Sequence, residues 1–438
     1  MRNLKISISD KHKDLCQHGL QWLRENFCLS AEGKMQTDLS VASMAAEELI
    51  ASSVKVEPDF PERTKRRVIR LALNRWRRYK KYFDARDQVQ AFQDALVVEI
   101  RILERKATQY TVLMFLNLDP PSGFESLTVR GYTLQFRTWD KLDNLSTADL
   151  WGEVRFKDRK NPIIRIYDEK AYPRIHDFTP VTIELETYDV PAAVEIASER
   201  LDLLRAVLNF LPAIRVMFRW GEPQPLSKFL PSPLYGVFDR NGVLLAPYYT
   251  IERYKYRKQC IEKRDRGAVT ELLQTINQAQ EGSVSYLVLR LLQLYQQALD
   301  LTDPRATYLA LWQVLEAAVE RGEGGIESRI KALTQPDELL EAALKSLAKH
   351  RHKLVHSGVF PKGAENLVFI LKGFVDFAIR RIIYLSKHLS TESELGEFLK
   401  HATLGGFQPG EKEEGYRLHP KPAQQRMTES KEHGQAEL

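Results

Sequence analysis

Cysteine is nearly absent from this chain. Only Cys16, Cys28 and Cys260 occur in 438 residues, with no Cys-x-x-Cys pair. That argues against a disulfide scaffold and a thiolate zinc site, and makes a reducing, cytoplasmic setting the expectation. Long apolar runs are missing too. Runs such as Val112 to Leu116 fall far short of a membrane span, and Met1 to Asp10 has no apolar signal core, so no membrane partner is expected. A strong excess of one charge is also lacking. Lys and Arg number 64 against 58 Asp and Glu, and the resulting +6 permits an anionic partner without requiring one. Several catalytic signatures are absent: there is no Gly-x-Ser-x-Gly element and no zinc-protease helix. Gly322-Glu323-Gly324-Gly325 lacks the Lys-Ser/Thr that completes a phosphate loop, and reads as a helix–helix connection. His176-Asp177 has no companion ligand at metal spacing. No metal site and no cofactor are therefore expected.

The length calls for two or three domains, and the hydrophobic periodicity divides the chain into four regions of an overall α+β protein. Residues 1–107 read as a helical N-terminal region. A first amphipathic helix carries Leu15, Leu20, Trp22, Leu23 and Phe27. A second, starting near Pro61, has an apolar stripe of Ile69, Ala72, Leu73, Trp76, Tyr79 and Phe83. Its opposite stripe is Arg63, Arg67, Arg70, Arg77 and Lys81, flanked by Arg66, Arg75, Arg78 and Lys80. Such a face suits a phosphate backbone and marks these residues as candidate RNA contacts; the competing reading is an ordinary solvated helix face.

Residues 108–260 read as a mixed sheet domain. Twofold alternation marks strands at Tyr110 to Leu118, Leu127/Val129, Tyr132 to Phe136, Ile163 to Tyr167, Val181 to Leu185 and Ile214 to Trp220. The phase shift at Gly131 suggests a bulge, and Asn241-Gly242 a hairpin turn. A helix from Pro191 to Phe210 interrupts them. Residues 264–395 read as an all-α bundle. Asp303-Pro304 is a strong helix start, before Tyr308, Leu311, Trp312, Leu315 and Val319. The helix of about Glu365 to Ser386 is apolar nearly all round, which predicts burial on every side or cover by a partner. The remainder, 396–438, turns to Gly, Pro, Glu, Lys and Gln after about Gly405 and is expected to be disordered.

Lys349-His-Arg-His-Lys-Leu-Val-His-Ser-Gly358 ends the third helix of this bundle. The stripe Leu340, Leu344, Leu347, Arg351, Val355 puts Arg351 where a Leu is expected, and a guanidinium among apolar neighbours requires a partner. His352 and His356 lie four apart on the adjacent face, with Lys345 and Lys349, and Gly358 stands where a helix C-cap would. An Arg, a polar residue, three more residues and a His near a helix end resemble the signature of the HEPN superfamily. Tyr308 to Glu316 looks like the preceding helix of the Apea-like HEPN branch, with its Leu315-Glu316 pair. The spacing alone is common: an Arg separated from a His by four to six residues recurs at Arg381/His388 and Arg426/His433, without the helical context.

The resemblance covers the C-terminal quarter to third of the chain. It implies a metal-independent endoribonuclease of the kind found in toxin and anti-phage defence systems, with Arg and His forming a site across a helical homodimer. On that reading His356 transfers protons, Arg351 holds the phosphate, His352 and Lys353 assist, and Glu316 orients Arg351. Two other readings remain open. One is a HEPN fold that dimerises or binds nucleic acid or a partner without cutting. The other is a surface basic helix end, favoured by the helix dipole.

Overall fold

The computed structural model describes residues 5–8, 12–26, 41–57, 61–79, 85, 87–118, 124–142, 144–147, 150, 178–210, 226–232, 234–249, 259–278, 282–320, 325–334, 338–359, 365–389 and 391–403. The fold is mixed α+β with helices dominant. It divides into two compact units. The first comprises Met1–Leu127, Tyr132–Leu201 and Pro231–Cys260; the second comprises Thr128–Gly131, Asp202–Leu230 and Ile261–Leu438.

In the first unit, helices α1 (Lys13–Asn26), α2 (Val41–Ser53), α3 (Glu62–Arg78) and α4 (Gln88–Glu104) enclose one apolar core, beside the antiparallel pair β1 (Lys5–Ile8) and β2 (Val54–Glu57). The α3 stripe of Val68, Ile69, Ala72, Leu73 and Trp76 faces that core. The helix stops at Tyr79, whose backbone is extended and whose ring is exposed. At the start of α4, the Asp87 carboxylate accepts the Gln90 N–H at 3.0 Å, an N-cap that satisfies an otherwise orphaned donor.

The main sheet has six strands: β3 (Thr108–Leu116), β4 (Ser126–Val129), β5 (Tyr132–Phe136), β6 (Thr179–Thr187), β7 (Leu234–Asp239) and β8 (Leu244–Tyr249), in the order β4-β5-β6-β3-β7-β8. Central β3 pairs antiparallel with β6 and β7 and is buried on both faces over Val112–Leu116. β6 alternates buried Ile183 and Leu185 with exposed Glu184 and Glu186. The expected bulge at Gly131 is instead a hairpin turn. Arg130 and Gly131 both have positive φ, 51° and 78°, as a two-residue turn matched to strand twist requires. A register shift in the sheet falls between Val237 and Phe238. At Asn241-Gly242 the hairpin forms as expected: the Asp239 carboxylate accepts from Asn241 and Val243 N–H, and a Cβ on Gly242 would lie 1.8 Å from the Asn144 carbonyl.

Helix α5 (Val190–Asn209) gives its residues from Asp202 onward to the second unit. There follow α6 (Lys263–Gln278), α7 (Ser283–Asp300), α8 (Pro304–Ala318), α9 (Ile326–Thr334), α10 (Glu338–Ser357), α11 (Glu365–Leu385) and α12 (Glu392–Thr403). The Asp303 carboxylate caps α8 through the Arg305 N–H, with Pro304 in the first turn. Helix α11 packs on α7, α8, α9 and α10, which bury Val368, Leu371, Phe374, Val375, Ile379 and Ile382. Of the two expectations for it, burial within the chain is nearly met without a partner: of its large apolar side chains Ile370 and Tyr384 stay exposed, and it carries a buried Lys372 bonded to Asp376. The tail expected to be disordered from 396 begins as helix α12, to Thr403. Residues 404–438, the expected strands at Ile163 to Tyr167 and Ile214 to Trp220, the His176-Asp177 pair, Phe83 and Lys81 lie outside the described residues. Among the described residues no helix is long and apolar enough to cross a membrane.

Candidate active site at the end of helix α10

Leu344, Leu347 and Leu354 seat α10 in its unit, while Val355 is half-exposed, so the buried stripe passes beside Arg351 to Leu354 and not to Val355. The helix stops at Gly358, whose φ of +64° is the left-handed conformation a C-cap glycine supplies. Arg351 points toward α8. Its Nη2 donates to Glu316 Oε1 at 3.0 Å, with side chains 35% and 27% exposed respectively. The same Oε1 accepts the indole N–H of Trp312 at 2.8 Å. One turn earlier on α8, the Tyr308 hydroxyl donates to the Leu347 carbonyl of α10 at 2.6 Å. Burial raises the Tyr308 phenol well above its ordinary range, so it remains a donor throughout neutral pH.

The other residues expected at the site share the exposed side of α10. His352, Lys353 and His356 are all exposed, with Lys345 and Lys349 on the same side of the helix. The two imidazoles lie 4.3 Å apart between ring centroids, tilted by 50°. Lys345 is engaged: it and Lys331 both pair with Glu341 and hold that carboxyl below the ordinary carboxylate range. Arg351 and His356 are five positions apart, about 140° around the helix and about 7.5 Å along it. One copy of the helix therefore turns its Arg toward α8 and its His toward solvent.

The described part of the basic stripe of α3 belongs to the first unit, and acids face part of it. Arg66 pairs with Glu48 and Glu62, Arg67 with Asp189, and Arg70 with Glu47 at 3.5 Å. Arg75 is drawn inward to Glu99. Arg77 is half-buried, and desolvation lowers its pKa against the pull of Glu47. Arg63 is exposed, and its backbone N–H bonds Glu195. Of the four expected contacts Arg63, Arg67, Arg70 and Arg77, Arg67 and Arg70 thus lie in exposed ion pairs.

A second polar cluster in the helical unit went unforeseen in the sequence. Buried Arg205 bonds Asp202, Asp300 and the Phe229 carbonyl, and Gln296 joins through Asp300 and Ser227. Burial lifts the Asp300 carboxyl to about 6 although Arg205 pulls the other way. Arg205 is satisfied on three sides, so the cluster reads as a clasp of α5 to α7. Among the described residues no group of three or more His, Cys, Asp or Glu is placed to hold a metal ion. No family model, curated protein or solved structure matches the chain.

Proposed function

We propose that the chain is a HEPN-type, metal-independent endoribonuclease, acting as a homodimer through its helical unit, in the manner of a toxin or anti-phage effector. The observation that carries the reading is the state of Arg351. It is held by a carboxylate through one nitrogen only, on a helix end whose solvent side carries two imidazoles and two further lysines. Among the described residues its Nε and Nη1 take no partner, which leaves an edge of the guanidinium for a phosphate.

In the proposed reaction an imidazole takes the proton of a ribose 2′-hydroxyl. The 2′ oxygen then bonds to phosphorus, the bond from phosphorus to the 5′ oxygen breaks, and a second imidazole protonates the leaving oxygen. The products are a 2′,3′-cyclic phosphate and a 5′-hydroxyl. Arg351 offsets the charge that builds on the phosphorane oxygens. Because Arg351 and His356 of one copy face about 140° apart on their helix, a twofold partner is what brings an Arg of one copy to a His of the other.

Purified full-length protein should cut single-stranded RNA in EDTA, leaving cyclic-phosphate ends, and His356→Ala should not. Cleavage lost in EDTA, or kept in His356→Ala, refutes the mechanism. The rival reading, a HEPN-like module that binds without cutting, draws on the same Arg351–Glu316 pair, which would there serve structure alone. It predicts RNA binding, or dimerisation, with no cleavage in the wild type.

A further inference from the structure

Tyr308, Trp312 and Glu316 stand four apart on α8; the first and last bond the part of α10 that carries Arg351, and the middle one bonds the last. The Tyr308 hydroxyl bonds the Leu347 carbonyl, the acceptor that the Arg351 amide uses in its own helix. The Trp312 indole N–H bonds the Glu316 oxygen that holds Arg351. We propose that Trp312 is a positioning residue for the phosphate-binding arginine, acting through Glu316, with Tyr308 fixing the backbone beneath it. This rests on the ribonuclease reading of Arg351.

A glutamate on a helix surface, about a quarter exposed, has several rotamers open to it and would ordinarily sample water. Trp312 has almost no such freedom, since its ring is buried in the helical core with 4% of its surface exposed. Its N–H is therefore a fixed donor, and Glu316 must come to it. Both hydrogen bonds fall on Oε1, so the carboxylate presents one oxygen at one place, and the guanidinium is held by a single nitrogen. The arrangement restricts the arginine without occupying the edge that a phosphate would use. The apolar spacing of α8 accounts for the buried ring; it does not account for the direction of the N–H, which the bond to Glu316 explains.

The test uses full-length protein labelled with 15N-tryptophan. The chain has six tryptophans, and Trp312→Phe identifies the indole signal that belongs to Trp312. That signal should move in Glu316→Gln and in Arg351→Ala. In RNA cleavage, Trp312→Phe should lower kcat about tenfold, the scale of one hydrogen bond to a charged group, with KM within about twofold. In a Glu316→Gln background the same change should cost little more, because the two residues act in series. Wild-type kcat in Trp312→Phe, a loss confined to KM, or a full second loss in Glu316→Gln overturns the proposal. Should Trp312→Phe fail to fold, Tyr308→Phe serves to assign the ladder. It should again lower kcat with KM held, and unchanged kcat overturns the proposal; the Trp312 indole signal is then assigned by elimination, from phenylalanine substitutions at the other five tryptophans, and still reports on Glu316→Gln. If the wild type cuts no RNA, the ribonuclease reading fails on its own. The positioning role is then decided by the indole signal, and a signal indifferent to both Glu316→Gln and Arg351→Ala overturns it.

Discussion

Replacing Glu316 with alanine should cost more stability than replacing Arg351, although the two form one ion pair. The reason is the third member. Glu316 Oε1 accepts from both Arg351 and Trp312, so Glu316→Ala removes the acceptor of a donor that is 4% exposed. A buried N–H left without a partner costs about 1–3 kcal/mol. The stranded Arg351, whose side chain is 35% exposed, turns to water and adds less than about 1 kcal/mol. Arg351→Ala is milder. Glu316 keeps the indole N–H and its access to water, so the loss should be about 1 kcal/mol, above an open surface pair and well below the 3–5 kcal/mol of a fully buried one. The double mutant should reveal a coupling of about 1 kcal/mol. For a unit of this size each 1 kcal/mol corresponds to about 2–4 °C in Tm. Thermal and urea melts of Arg351→Ala, Glu316→Ala and the double mutant measure all three quantities. An Arg351→Ala loss equal to or larger than that of Glu316→Ala refutes the ordering, and a coupling near 4 kcal/mol would mark a pair far more desolvated than its exposure allows.

Reversing Arg67 and Arg70 to Glu should destabilise the first unit by about 1–2 kcal/mol, since each new carboxylate would face Asp189 or Glu47; if these arginines serve their ion pairs, RNA affinity should change little, and a large affinity loss without destabilisation would mark them as phosphate contacts. The Asp300 carboxyl, raised by burial to about 6, binds its proton more tightly in the folded state than at the ordinary value near 3.9. Its stabilising contribution is thus complete below about pH 4 and lost as pH rises through about 6, and unfolding free energies of wild type and Asp300→Asn should diverge by up to about 2–3 kcal/mol across that window; a pH-independent difference refutes it. An equimolar mixture of Arg351→Ala and His356→Ala chains should regain part of the cleavage that each lacks, and a monomer by sedimentation that cuts RNA at the full rate would rule out a composite site.

What could be read from the sequence was whatever a neighbour within a few residues decides. Asp303-Pro304 starts α8, Asn241-Gly242 turns a hairpin, and Gly358 ends α10, because each of these features is set by local backbone chemistry. Arg351 was legible for a different reason. A cation in an apolar stripe breaks the pattern, and breaking it requires a carboxylate nearby; Glu316 on α8, two helices earlier, stands 3.0 Å away. Near the end of the same stripe the periodicity was ambiguous, since steps of three and four from Arg351 lead to Leu354 and Val355 alike, and tertiary packing chose Leu354. The α3 arginines went the other way. Arg67 and Arg75 obey the amphipathic pattern, so nothing local announces that Asp189 and Glu99, far along the chain, will neutralise them.

Trp312 shows why a correct reading can still miss a residue's use. Its place in the stripe of Tyr308, Leu311, Trp312 and Leu315 assigns it to the core, and the ring is indeed there. A tryptophan has two halves, however: an apolar ring that follows the hydrophobic period, and one N–H that must find an acceptor once the ring is buried. The period reports only the first half. The second is constrained just as strictly, and on a helix the acceptors within reach lie four residues away, which makes Glu316 the natural choice. On α8 that rule joins Trp312 to the carboxylate and, through it, to Arg351. Buried aromatic donors within one turn of an acid that faces an arginine are therefore worth reading as part of a site, even where the apolar pattern already accounts for them.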